Sequence, residues 1–170
     1  MGVWDGIRNA LSAVWADFRS PTADARTQLM TSLTEAWQTE QRLSIQIRQI
    51  VPEILYAQFR QRLEAIARDD EQHAHLLQER LKDVGVMMGE RILPREGSGN
   101  SLPSSPWRRV LHILTVKREL YERYRQEASA VDDPDLRSLL ERLRDDEARH
   151  QEQLLEVLVQ LDAHVHETIT

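Results

Sequence analysis

Two acid-x-x-His motifs carry the residue types best suited to chemistry in this chain: Asp70 with His73, and Glu147 with His150. A carboxylate and an imidazole three residues apart on a helix project from one face, so both can reach a single metal ion. The motifs lie 77 positions apart, and 30 positions before each acidic residue comes a third charged side chain, Glu40 in one case and Lys117 in the other. Such a doubling predicts a duplicated two-helix unit with a metal site at its centre. Five of the six positions hold ligand-type residues, and the sixth holds a cation.

Each of these residues needs a helix to present it, and the apolar periodicity supplies four. Leu29, Met30, Leu33, Trp37, Leu43, Ile47 and Ile50 recur at helical spacing with Glu40 inside the stripe, behind a cap at Ser20 or Thr22. Pro52 is expected in the first turn of the next helix, whose stripe of Leu55, Phe59, Leu63, Ile66, Ala67, Leu77, Leu81 and Val84 closes at Gly85. Asp70 and His73 fill the gap in it. A third helix begins near Pro106 and turns Val110, Ile113, Leu114, Leu120, Tyr121 and Tyr124 inward, with Lys117 midway. The fourth starts at Asp133-Pro134, and Glu147 and His150 interrupt its stripe of Leu136, Leu140, Leu143, Leu154, Leu158 and Leu161.

Glycine and proline make a helix improbable across most of 85–105, so that stretch reads as the linker between two helix pairs, at about 23–84 and 106–165. The expected fold is all-α, a four-helix bundle over 20–170 with one long crossover connection. An extra N-terminal amphipathic helix is expected over 1–19, where Val3, Trp4, Ile7, Leu11, Val14, Trp15 and Phe18 form a face that would dock on the bundle.

Composition narrows the chemistry. The 170 residues suit one domain, and a net charge of −6 with interspersed signs leaves no basic stripe for nucleic acid. Without cysteine there is no disulfide, iron–sulfur cluster or thiol nucleophile, so a metal must be held by oxygen and nitrogen. No apolar run is long enough to span a membrane, and Asp5, Arg8 and Asp17 interrupt the N-terminal apolar positions; a cytoplasmic protein is expected.

Register decides which carboxylate is the ligand, because the string Arg-Asp-Asp-Glu occurs in both halves, at 68–71 and 144–147. At about 100° per residue Asp70, His73 and Leu77 continue the apolar stripe, whereas Glu71, His75 and Gln78 fall on a polar face. Asp70 is therefore the candidate. The same count places Glu119 and Glu122 about 200° and 140° around their helix from Lys117, too far to replace it by a small rotation.

With its paired acid-x-x-His motifs and the central Glu40, the chain resembles the ferritin-like superfamily, closest to the rubrerythrin or erythrin branch without a rubredoxin domain. The resemblance covers roughly 29–84 and 107–161 and implies a dinuclear carboxylate site. It implies bridging roles for Asp70 and Glu147, one metal each for His73 and His150, and a terminal role for Glu40. It further implies iron, with manganese or zinc as alternatives, and ferrous iron, oxygen or peroxide as the small-molecule partners, in a homodimer. The chain departs from the family pattern at Asp70, one methylene shorter than the usual glutamate, and at Lys117. Glu40, Asp70, Glu147 and a Lys117 ammonium sum to −2, which matches one divalent ion, or none where the lysine acts as internal counter-ion in a metal-free helical scaffold. Beside a bound cation Lys117 could instead lose its proton and act catalytically, as donor or acceptor to bound oxygen species.

Overall fold

The computed structural model describes residues 23–86 and 105–167. All long elements among them are helical: α1 (Ala23–Ile50), α2 (Ala57–Asp83), α3 (Pro106–Ala130) and α4 (Pro134–Glu167). The expected N-terminal helix over 1–19 and most of the linker lie outside the described residues. No described helix is long and apolar enough to cross a membrane.

Local chemistry sets the helix ends. Ser105 caps α3 by accepting the Arg108 amide at 3.3 Å, and Pro106 follows in the first turn, where a missing N–H costs nothing. Asp133 does the same for α4, accepting the amides of Asp135 and Leu136 at 2.9 and 3.1 Å ahead of Pro134. Gly85, at φ 82°, closes α2: its amide bonds to the Lys82 carbonyl and the Val86 amide to that of Leu81, a pairing that requires a left-handed residue between them.

The passage from α1 to α2 differs from the expectation that Pro52 opens the second helix. Val51–Glu53 forms one 3-10 turn, Ile54 is extended, and α2 begins only at Ala57. The cause is Ile54, which turns its side chain into the core and leaves Leu55 69% exposed, although Leu55 was expected inward. Arg60 compensates by donating to the Ile54 and Leu55 carbonyls, both at 2.8 Å. Val84, at the far end of α2, is also on the outside.

α1 packs along α2 and α3 along α4, and the pairs meet through α1 with α3 and α2 with α4. Arg109 reaches Glu53 while Arg123 reaches the Ser32 carbonyl and Glu35, so α3 runs antiparallel to α1. One buried cluster joins all four helices, with Leu43, Leu63, Leu120 and Leu140 among its most enclosed members. Glu40, Asp70, Lys117 and Glu147, charged residues at the matched offsets, are placed midway along their helices inside it.

Leu63 and Leu140 occupy equivalent positions in the two halves and are both fully enclosed. Truncating either to alanine is expected to cost about 2–5 kcal/mol in urea unfolding. Leu111→Ala, on the half-exposed face of α3, is expected to stay within about 0.5 kcal/mol of wild type.

Candidate metal centre

Glu40, Asp70, His73, Lys117, Glu147 and His150 are all buried at the middle of the helices, with exposures of 0–2%. The inward phase predicted for Lys117 holds to its tip, since no part of its stem reaches solvent. Its Nζ donates to Asp70 Oδ1 at 2.5 Å, Glu147 Oε1 at 2.8 Å and Glu40 Oε2 at 3.5 Å. One ammonium thus touches a carboxylate from each of the other three helices.

The imidazoles flank this ion cluster, with ring centroids 5.7 Å apart. His73 Nδ1 lies 3.3 Å from Glu40 Oε1 and 3.5 Å from Glu147 Oε1. His150 Nδ1 lies 3.6 Å from Glu147 Oε1 and 3.7 Å from Asp70 Oδ1, the two oxygens that Lys117 engages most closely. Both Nδ1 atoms, together with Asp70 Oδ2 and Glu147 Oε2, are buried without a hydrogen-bond partner. Buried polar atoms left without a partner are costly unless something else satisfies them.

Behind the rings lies a feature that inspection of the sequence missed. His73 Nε2 is 3.1 Å from Asp146 Oδ2, and His150 Nε2 is 3.1 Å from Asp69 Oδ2, so each imidazole leans on an aspartate from the opposite half. Arg149 closes the α2–α4 face by reaching Asp146 at 2.7 Å and Asp69 at 3.4 Å. A carboxylate behind a histidine fixes its orientation and tautomer, as in metal sites, where the inner nitrogen must be free of its proton. The signal was in the chain: Asp69 and Asp146 stand at the same 77-residue offset as the ligand pairs. Tyr124, expected chiefly as core filler, also donates its hydroxyl to Glu40 Oε1 at 2.8 Å. Glu71 sits outside, paired with Arg48, and Glu119 and Glu122 are exposed.

Electrostatics follow from the burial. Burial alone would discharge Lys117, but Asp70, Glu147 and Glu40 outweigh it and hold the ammonium well above the ordinary lysine range. The neutral amine is therefore disfavoured while all three carboxylates surround it. Burial lifts the Asp70 carboxyl to about 7 against the pull of Lys117. Burial opposes the charge on Glu147 too, yet Lys117 and the two histidines keep its carboxyl below the usual range. His73 is pushed up to about 10, because its contacts with Glu147 and Glu40 overcome desolvation. Tyr124 is raised by burial and by Glu40.

Four residues, Glu40, Asp70, His73 and Glu147, each offer a ligand atom within 4.8 Å of the others, and could hold a metal ion. His150 lies beside that set, sharing its oxygens with Lys117. In charge the cluster matches one divalent ion, and Lys117 already engages Asp70 Oδ1 and Glu147 Oε1, the second being also the Glu147 oxygen nearest His73, so an ion bound there would share that oxygen with the ammonium or displace it. No family model, curated protein or solved structure matches the chain.

Two outcomes follow for metal-free protein. Lys117→Met strands three buried carboxylates and is expected to cost about 3–5 kcal/mol in urea unfolding at pH 8, with the penalty shrinking at pH 5 as they take up protons. His73, whose folded value of about 10 exceeds the ordinary 6.5, contributes stability that is complete below 6.5 and lost as pH rises through 10. The denaturation midpoint should therefore fall between pH 7 and 10, and fall less in His73→Gln.

Proposed function

We propose that this chain is a ferritin-like, non-haem metalloprotein that holds one divalent ion, iron foremost, on the His73 side of its central cluster. The observation carrying this reading is the spacing of Glu40 Oε1, His73 Nδ1 and Glu147 Oε1, with edges of 3.3 and 3.5 Å at the imidazole. A tetrahedral ion with bonds of ~2.1 Å sets its ligands about 3.4 Å apart. The duplicated motifs and the four-helix arrangement support the ferritin-like part of the reading. Manganese and zinc accept the same ligands.

When bound, iron would supply a redox-active centre with open positions for oxygen or peroxide, the chemistry of ferrous oxidation or peroxide reduction. The chain's own residues prepare that site. Asp146 turns the His73 ring so that Nδ1 faces inward, and Tyr124 fixes one oxygen of Glu40. Lys117 holds a proton at Nζ beside the cluster and keeps Glu147 ionised without a second cation. Because His73 carries its own proton in the metal-free state, binding must release it, and affinity rises with pH.

A second reading has an observation of its own in the three contacts of Lys117. A cluster neutralised from within can persist as a metal-free helical scaffold whose function is interaction. Metal analysis of protein from its native host, followed by anaerobic ferrous titration and an absorption spectrum on admitting oxygen, separates the two. One ion per chain is expected, with binding abolished in His73→Ala but within about tenfold of wild type in His150→Ala. Lys117→Glu is expected to take a second ion. Protein that is metal-free as isolated and binds none on titration would sink the metal reading in favour of the scaffold.

A further inference from the structure

Four faces run along the bundle between neighbouring helices, and they are not equally closed. The α2–α4 face is covered by a charged layer, the His73–Asp146 and His150–Asp69 bonds with Arg149 across both aspartates. The α1–α2 and α3–α4 faces are the long packed contacts within each helix pair. The α1–α3 face is different. Arg123 ties these helices at one end, through the Ser32 carbonyl and Glu35, and Arg109 ties them at the other through Glu53. Between the two ties the helices part around a cavity of about 380 Å³.

The rim of this cavity is polar and exposed, with Arg42, His112 and Glu119 around it, whereas Leu43, Val116 and Leu120 make an apolar floor. Leu43 and Leu120 are 1% and 2% exposed and stand at the 77-residue offset. Each comes three positions after a member of the central cluster, Glu40 on α1 and Lys117 on α3. Residues three apart share a helix face, so the two leucines form the apolar layer between the cavity and the cluster.

Such a layer sorts molecules by their hydration. An ion or a peroxide gives up strong hydrogen bonds to enter it and receives none in return. Dioxygen has neither charge nor hydrogen to donate, so it loses little on leaving water, and leucine side chains that hop between rotamers let so small a molecule through. The charged α2–α4 layer has the opposite preference, because an apolar molecule cannot replace the bonds it would break there. We propose that the α1–α3 cavity is the entry for dioxygen to the central cluster, with Leu43 and Leu120 as the layer it crosses. What dioxygen meets inside rests on the metal reading above, whereas the route rests only on the cavity and its floor.

The test uses the full, metal-free chain with labelled leucine methyl groups under raised oxygen pressure. Dissolved dioxygen is paramagnetic and broadens the NMR signals of the methyls it reaches. Those of Leu43 and Leu120 are expected to broaden several-fold more than those of Leu63 and Leu140, which are as deeply buried. Val116→Phe, which fills the cavity from a half-buried position, is expected to remove most of that excess and leave Leu63 and Leu140 unchanged. Equal broadening at all four leucines, or a larger effect at Leu63 and Leu140, overturns the route. Should the variant fail to fold, the wild-type comparison still decides. With ferrous ion bound, Val116→Phe is expected to slow the absorption change on admitting oxygen several-fold at unchanged ferrous affinity, and an unchanged rate overturns the entry role. A chain that binds no ion sinks the metal reading alone, and the broadening then decides the route by itself.

Discussion

Three buried carboxylates stay ionised together only where positive charge is placed among them, and the remaining structure is arranged around that requirement. Glu40, Asp70 and Glu147 come from three helices, and Lys117 from the fourth points its nitrogen at all of them. The apolar stripes then have a defined task, which is to hold the four helices at the separation where one ammonium touches every acid. Tyr124 takes the other oxygen of Glu40 and the two imidazoles lie beside the same carboxylates, while Asp70 Oδ2 and Glu147 Oε2 keep no hydrogen-bond partner.

Around this centre the two halves of the chain are related in a way that the centre itself is not. His73 on Asp146 and His150 on Asp69 repeat the same bond at the same distance from opposite sides, and Arg149 spans both aspartates. Inside, one half offers a glutamate where the other offers a lysine. The paired outer bonds explain how the inner asymmetry is tolerated, since neither ring depends on the residue at position 117 for its orientation. The aspartates hold the imidazoles from outside, while the inner set places one ammonium among three carboxylates.

Much of this was legible in the sequence because helical phase leaves few choices. The stripe singled out Asp70 over Glu71 and placed Lys117, Glu147 and His150 inward, and the coordinates put each on that face. Helix starts at Pro106 and Pro134 were readable because a capping side chain and a proline coincide there. The passage around Pro52 was not, because the burial of Ile54 in place of Leu55 depends on where the neighbouring helices lie, which no local pattern records. Asp69 and Asp146 escaped notice for a different reason. Each sits beside a ligand position in a run of acids, where only three-dimensional pairing distinguishes a residue that supports a ring from one that faces solvent.

The bond between His150 and Asp69 is complete on the side of the cluster that Lys117 fills. A lysine codon becomes a glutamate codon by a single base change, so the sequence lies one mutational step from a chain with four buried carboxylates and both rings already aimed. Two electrostatic designs, one neutralised from within and one that must recruit its cations, are thus adjacent in sequence space. The intact outer bonds mean that a lineage could pass between them without rebuilding anything else.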